Sequence, residues 1–197
     1  MNNIVFIPGS PALVEELAAA DDASQQLLVA SRGVIADALA EKPRLIHIVS
    51  SRDKRWYTAH EGSFKAWGAG HVNVGQGHYL PELIARYVID GKAEVTQCRD
   101  EIRNLDPEAL TVVVLDGTAG LTARAPLALV DGATLAHQWC EQVLRGEEGD
   151  MPVLADAGVI EPDLWLQIAQ LAPKRATLIA SDSALGVGRY VATWEVE

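Results

Sequence analysis

The sequence predicts an α/β protein, built as one domain around a largely parallel sheet. Short, wholly apolar runs alternate along the chain with longer segments whose apolar residues recur at helical spacing. The order strand, helix, strand at the start of the chain indicates a β–α–β unit, whose two strands lie parallel. With 197 residues, 49% of them hydrophobic, the chain suits a single domain over residues 1–197 with a sizeable core.

The N-terminal half of the chain is predicted to hold three strands and two helices. The strands are expected at residues 4–7, 45–49 and 94–98, and the helices at residues 17–39 and 81–90. The first strand ends in Pro8-Gly9-Ser10-Pro11, which is typical of a loop. The first helix is alanine-rich, contains no proline and is expected to begin near Pro11 or Asp21. Pro81 suits the first turn of the second helix.

The C-terminal half gives the clearest strand of the sequence. Residues 111–115 read Thr-Val-Val-Val-Leu, an apolar and mostly β-branched run that favours a buried strand, and a loop over residues 116–120 follows it. Helices are predicted at residues 133–144 and 162–171, and further strands at residues 176–180 and 189–194. A turn that contains Gly186 and Gly188 is expected to join these last two strands.

Residues 50–77 form a long segment with little periodicity and four aromatic side chains, Trp56, Tyr57, Phe64 and Trp67. A loop of this length in a compact domain is typically functional or mobile. We expect it to cover the open end of a pocket, with its aromatic side chains on the pocket rim or against a second subunit. The alternative is that these side chains complete the core.

Charge and cysteine content narrow the function classes. The formal net charge of −11, from 27 acidic and 16 basic residues, disfavours binding to nucleic acid or to an anionic membrane surface. No apolar run approaches the ~18 residues of a membrane span, and the start of the chain lacks the features of a signal peptide. Cys98 and Cys140 are therefore expected to be free thiols in a reducing cytoplasm.

Four features of the sequence bear on possible chemistry. The glycines within residues 68–77 miss the spacing of a dinucleotide fingerprint. Asp116-Gly117-Thr118 follows a strand as in hydrolases of the haloacid dehalogenase type, but Val114 stands where their nucleophilic aspartate would be. His71 and His78 share a loop and are a candidate metal pair. His47 lies within a predicted strand and is expected to be a hydrogen-bonded core residue.

Three separated segments carry a family resemblance. They read PGSPALVEEL at residues 8–17, VVVLDGTA at residues 112–119 and ALGVGRYVATW at residues 184–194, with Ala125-Pro126 after the second. In order and spacing they resemble small relatives of the class III extradiol ring-cleavage dioxygenases. The resemblance implies a three-layer α/β/α sandwich with a mostly parallel or mixed central sheet. It also implies a pocket at the strand ends, where two histidines and a glutamate hold non-haem Fe(II) and a further histidine acts as acid and base.

The sequence departs from this family pattern at the ligand positions. Gly9 stands where the first histidine would follow Pro8, and residues 49–52, after the second strand, contain no histidine. The acid/base histidine would lie within residues 116–122, which contain none either. A degenerate metal site is therefore predicted, with no cofactor, and Fe(II) is kept as the alternative. The fold that the resemblance implies does not depend on these residues.

The predicted function is a small-molecule-binding protein or a subunit that acts through a partner. The expected partners are a small-molecule ligand and a second copy of the chain in a homodimer. One alternative is an enzyme of unknown class that uses the same pocket, and another is a dioxygenase-like metalloenzyme whose ligands have moved to His71 and His78. The pocket candidates lie on loops next to predicted strands and are Gly9, Ser10, Ser51, Asp116, Thr118, Arg124 and Asp182.

Overall fold

The structure, a computed structural model, describes residues 3–197 and has a mixed α/β fold. The four α-helices are α1 (Asp22–Glu41), α2 (Leu80–Ile89), α3 (Ala133–Leu144) and α4 (Pro162–Ala169). The strands are β1 (Ile4–Ile7), β2 (Ile46–Ser50), β3 (Ser63–Phe64), β4 (Ala69–Asn73), β5 (Val95–Arg99), β6 (Leu110–Val114), β7 (Arg175–Asp182) and β8 (Arg189–Glu195). The prediction of an α/β fold is thus confirmed.

Six of the strands form one mixed sheet in the order β5-β2-β6-β1-β8-β7. The first four strands in this order are mutually parallel, and Ile4 of β1 lies opposite Thr111 of β6. The last two strands run antiparallel, β8 against β1 and β7 against β8. The apolar character of β1, β2 and β6 follows from this arrangement, since parallel strands are covered on both faces.

The sheet separates two hydrophobic cores. Side chains alternate along a strand, so Val5 and Ile7 of β1 contact one core while Ile4 and Phe6 contact the other. Helices α1 and α2 pack in the first core, and helices α3 and α4 pack in the second. Helices therefore lie on both faces of the sheet, as an α/β sandwich requires.

The element boundaries agree with the sequence pattern, with two local differences. Helix α1 begins after Asp21 because Pro11–Leu13 form a separate 3-10 turn. Ser10 caps this 3-10 turn, since its hydroxyl accepts from the N–H of Ala12 at 3.3 Å. Helix α4 ends at Ala169, two residues before the predicted end.

Residues 50–77 are more regular than their sequence suggests. Strands β3 and β4 pair as a short hairpin, in which the N–H of Val74 donates to the carbonyl of Gly62 at 2.7 Å. Phe64 is fully buried in the core beside α2, and Trp67 packs against the same core, whereas Tyr57 is 55% exposed. Phe64 and Trp67 thus complete the core, which is the alternative expectation for this segment. The sequence did not predict the hairpin, because β3 and β4 are too short and too interrupted to show a strand period.

Two further expectations concern the buried histidine His47 and membrane-spanning helices. His47 is 8% exposed, and burial lowers its pKa below the ordinary value. Its Nδ1 has no hydrogen-bond partner among residues 3–197, so the prediction of a hydrogen-bonded core histidine is wrong for that atom. None of the helices in this part of the chain is both long and apolar enough to cross a membrane.

Candidate functional site

A cavity of about 360 Å³ lies at the carboxyl ends of β1, β2 and β6. Chain leaving β1 continues to α1 on one face of the sheet, while chain leaving the neighbouring β6 continues to α3 on the other face. The diverging connections open a crevice between the two strand ends, which is where open α/β sheets bind ligands. The lining residues are Gly9, Ser10, Pro11, Ala12, Ser51, Trp56, Pro81, Val114, Leu115, Asp116, Pro126, Ile160, Glu161, Leu185 and Val187.

The cavity walls are mainly apolar, and the volume is in the range of small-molecule sites. Proline, alanine, valine, leucine and isoleucine side chains make most of the surface. Its charged lining residues are two carboxylates, Asp116 and Glu161. A ligand here would lose water along most of its surface and meet few polar groups.

Asp116 is the polar group at the end of β6. Its Oδ1 accepts from the N–H of Gly9 at 3.1 Å, and its backbone carbonyl accepts from Trp165 Nε1 at 2.9 Å. Burial raises the pKa of Asp116 to about 7, against the opposing effects of the Gly9 N–H and the positive charge of Arg189. No described residue donates to Oδ2, so this oxygen is available to a ligand.

Gly9 leaves room for this carboxyl group. A Cβ at Gly9 would lie 3.3 Å from Asp116 Oδ2 and would crowd it. The position that the family resemblance assigns to an iron-binding histidine is therefore occupied by a glycine that lets Asp116 approach β1. Gly9 and Asp116 come together because β1 and β6 are parallel neighbours, with Ile7 opposite Val114.

The loop that carries Asp116 rests on Tyr190 of β8. The N–H of Gly117 donates to the carbonyl of Gly188 at 2.7 Å. A Cβ on Gly117 would lie 2.5 Å from the Tyr190 hydroxyl, and one on Gly188 would lie 2.3 Å from it. The Tyr190 hydroxyl in turn lies 2.6 Å from His137 Nδ1. The close contacts with Tyr190 thus require glycine at positions 117 and 188, and they fix the position of the loop that carries Asp116.

Glu161 and Trp56 are the two lining residues whose polar side chains contact each other. Trp56 Nε1 donates to Oε1 of Glu161 at 3.2 Å, and Arg55 Nη2 lies 3.7 Å from the same oxygen. Of the four aromatic side chains in residues 50–77, Trp56 is the one that lines the cavity. Sequence reasoning missed Glu161, because a glutamate before Pro162 at a helix start has no local feature that indicates a cavity.

Four of the seven predicted pocket residues line the cavity: Gly9, Ser10, Ser51 and Asp116. The hydroxyls of the two serines also order the turns that carry them. The Ser51 hydroxyl accepts from the N–H of Asp53 at 3.2 Å, as the Ser10 hydroxyl does from Ala12. The serines therefore shape the loops as well as the cavity wall.

The other three predicted pocket residues do not line the cavity, so the prediction is wrong for them. Thr118 is fully buried, and its hydroxyl donates to the carbonyl of Ala157 at 2.6 Å. Asp182 accepts from Nε of Arg189 at 3.0 Å and ties β7 to β8. Arg124 is exposed. The loops that contain Arg124 and follow Asp182 do reach the cavity, but they line it with Pro126, Leu185 and Val187 instead.

The donor atoms at the cavity do not match a two-histidine, one-carboxylate iron site. Its lining supplies carboxylates and hydroxyls but no imidazole. His71 is exposed on β4, and Nδ1 of His78 lies 3.1 Å from the carbonyl of Thr58. Residues 3–197 contain no group of three or more histidine, cysteine, aspartate or glutamate side chains that could hold a metal ion.

A second cavity, of about 250 Å³, adjoins the first and shares Ser51 and Glu161 with it. It is strongly acidic, with five carboxylates and one arginine among its lining residues. The remaining lining residues are Arg52, Asp53, Asp100, Glu101, Asp163, Leu164 and Gln167. The apolar cavity therefore lies beside a region of negative potential.

Comparison with protein-family models found no match, and comparison with curated proteins found no similar protein. The likeness to extradiol dioxygenases therefore depends on residues 8–17, 112–119 and 184–194 alone.

Proposed function

We propose that this protein binds a small, largely apolar molecule in the cavity beside Asp116, either alone or as a subunit that acts with a partner. The carboxyl group of Asp116 anchors the polar group of the ligand. The observation that carries the proposal is a cavity of about 360 Å³ with apolar walls and one partly exposed carboxyl oxygen that accepts no hydrogen bond from residues 3–197.

The energetics favour a ligand with the size of a substituted benzene ring. Burying about 150 Å² of apolar surface contributes roughly 4 kcal/mol at about 25 cal/mol per Å². A hydrogen bond to the Asp116 carboxyl adds roughly 1.5–3 kcal/mol when the carboxyl is charged. Association entropy offsets a large part of this sum, so we expect dissociation constants in the micromolar to millimolar range.

We also propose that the fold is of the class III extradiol dioxygenase type with a degenerate iron site. The position of the cavity supports this, because it lies beside Gly9 and Ser51, where the resemblance places the metal. The absence of imidazole from the lining supports a binding role in place of iron-dependent ring cleavage. No step in the proposed function passes through iron.

A second candidate is an enzyme that uses the same cavity with Asp116 as a general acid or base. The pKa of about 7 favours it, since an acid–base group is most effective near the working pH. The two candidates differ in one observable. A binding protein returns its ligand unchanged, whereas an enzyme consumes it at a rate that the Asp116→Asn variant loses.

Binding is tested with 2-phenylethanol, a neutral alcohol on a phenyl body, by titration calorimetry. We expect saturable binding to the full chain and at least a tenfold loss in the Ala12→Phe variant, whose ring would fill the cavity. The control is Ala19→Phe, at an exposed alanine outside the lining, which should bind as the parent does. Equal affinity in both variants, or no saturation up to the solubility limit, would overturn the proposal.

A further inference from the structure

Both charged residues that line the apolar cavity are acidic, and neither has a cation that fully neutralises it. Arg189 acts on Asp116 through its charge, but it is fully buried and already paired with Asp182. The same guanidinium lies 3.7 Å from Asp21, so one cation is shared between two other carboxylates. The Asp116 carboxyl therefore remains available to a positive charge inside the cavity.

Glu161 is also incompletely neutralised. Its charged neighbour is Arg55, 3.7 Å away and half exposed, and Arg55 also pairs with Asp53 at 3.0 Å. The adjoining acidic cavity shares Glu161 and contributes further carboxylates near it. Arg52, the arginine of that cavity, lies 3.6 Å from Glu82. The potential at this wall of the apolar cavity is therefore negative.

We infer that the ligand of this cavity is a small organic ammonium ion, an amine on an aromatic or aliphatic body. The ammonium group donates to Oδ2 of Asp116, and the body packs on Pro11, Pro81 and Leu185. The indole of Trp56 is on the same lining, but the guanidinium of Arg55 already lies 5.7 Å from the centroid of this ring, so the inference rests on Asp116 and Glu161. This inference depends on the proposed function, and it names the ligand class of the same site.

Charge pairing explains why an amine is preferred over neutral and anionic ligands of the same shape. A carboxylate among apolar side chains is poorly solvated, and an ammonium ion compensates for the lost water. A hydrogen bond between two ions is roughly twice as strong as one between neutral groups. A carboxylate ligand would instead add a third negative charge beside Asp116 and Glu161. The expected order of affinity is amine, then alcohol, then carboxylate.

The test compares 2-phenylethylammonium, 2-phenylethanol and phenylacetate, which share one apolar body, by titration calorimetry of the full chain at pH 8. We expect the amine to bind about tenfold more tightly than the alcohol, and phenylacetate more weakly than both. In the Asp116→Asn variant the advantage of the amine should fall below threefold, while the alcohol still binds. The control is Asp100→Asn, which removes an exposed carboxylate of the acidic cavity and should change the amine affinity less than twofold.

The pH dependence provides a second readout. The groups whose charges act on the Asp116 carboxyl or share its cavity are Arg189, Tyr190 and Glu161. Asp116 is mostly protonated at pH 6 and mostly ionised at pH 8, since its pKa is about 7. The amine, with a pKa of about 10 like lysine, stays charged throughout. Its affinity should rise several-fold from pH 6 to pH 8, with proton release near pH 7, and this rise should disappear in Asp116→Asn.

The possible results distinguish failure of the ammonium inference from failure of the proposed small-molecule function. Equal affinity for amine and alcohol, or tighter binding of phenylacetate, would overturn the ammonium inference and leave a small-molecule cavity in place. Failure of all three probes to bind would overturn both. An amine preference that survives in Asp116→Asn and in Glu161→Gln would mean that another group recognises the cation, and the inference would again be wrong.

Discussion

Asp116 combines a buried position with an ionisable side chain, so its protonation state is linked to folding. Its pKa of about 7 in the folded chain exceeds the 3.8 of an ordinary aspartate, chiefly because burial penalises the charged form. Between these two values the folded chain holds a proton that the unfolded chain has lost. Raising the pH from about 4 to about 7 therefore lowers the free energy of unfolding, and the effect is constant above pH 7.

The Asp116→Asn variant should remove this dependence. Asparagine keeps an oxygen for the Gly9 N–H but carries no charge. Because the carboxyl is partly open to solvent at the cavity, we expect a gain of only about 1–2 kcal/mol over the parent at pH 8, and less than half of that gain at pH 5. Urea denaturation at both pH values measures the difference. A gain of the same size at both would show that the carboxyl titrates normally.

Gly186, in the turn between β7 and β8, has a φ of +76°. A Cβ there would lie 2.5 Å from the Ala125 Cβ and 2.6 Å from Thr122 Oγ1. The Gly186→Ala variant should therefore lose at least about 1 kcal/mol of stability, from backbone strain and from the steric clash.

The matched control for this substitution is Gly33→Ala, within α1, where an added Cβ meets nothing within 4 Å. Alanine should raise helix stability there by about 0.5–1 kcal/mol. Thermal unfolding of both variants decides the matter. If Gly186→Ala matched or exceeded the parent in stability, the tight turn at this position would be wrong.

At the scale of elements, residues 50–77 contain a hairpin that packs in the core and a preceding stretch that contributes to the cavity lining. Phe64 and Ala69 are buried in the core beside α2, while Trp56 faces the cavity. The hairpin lies outside the six-stranded sheet, so few long-range backbone hydrogen bonds hold it. That the segment is the most mobile ordered part of the chain, and covers the pocket, stays a prediction.

Hydrogen exchange tests the mobility of this segment. The amides of Gly62 and Val74 should exchange faster than those of β6, which is central in the sheet and covered on both faces. Amides beside Trp56 should slow when 2-phenylethanol binds. Protection equal to that of β6 in the free protein would identify the whole segment as core structure and rule out a lid.

At the scale of the whole molecule, the two cores share their strands and should unfold together. In β8, Val191 contacts the α1–α2 core while Tyr190 and Trp194 contact the α3–α4 core. Loss of either helix layer would expose one face of every central strand. A cooperative transition is the physical consequence of such sharing.

Two substitutions, one in each core, test this cooperativity. Leu83→Ala in α2 and Ile168→Ala in α4 each empty a fully buried site and should cost about 2–5 kcal/mol. Far-UV and near-UV circular dichroism should give the same midpoint in each variant, because both cores depend on one sheet. Separate midpoints for the two signals would show that the layers unfold independently.

Particular residues show how far the sequence predicted the site. Gly9, Ser10, Ser51 and Asp116 could be placed together because each follows a predicted parallel strand, and parallel strands end at the same edge of a sheet. The same reasoning failed for Thr118, whose hydroxyl donates to Ala157 in the buried interior. Strand ends predict a location, but the path of the following loop decides which side chains reach it.

The sequence by itself determined the four α-helices and the six strands of the main sheet. Period and composition are properties of consecutive residues, so β1, β6, α3 and the glycine-containing β7–β8 turn were predicted directly. Only the tertiary structure decided the strand order, the β3–β4 hairpin and the place of Glu161 beside Trp56, 105 positions apart in the chain. Such contacts form because many segments minimise exposed apolar surface and unpaired polar groups at once, and no local pattern encodes that joint solution.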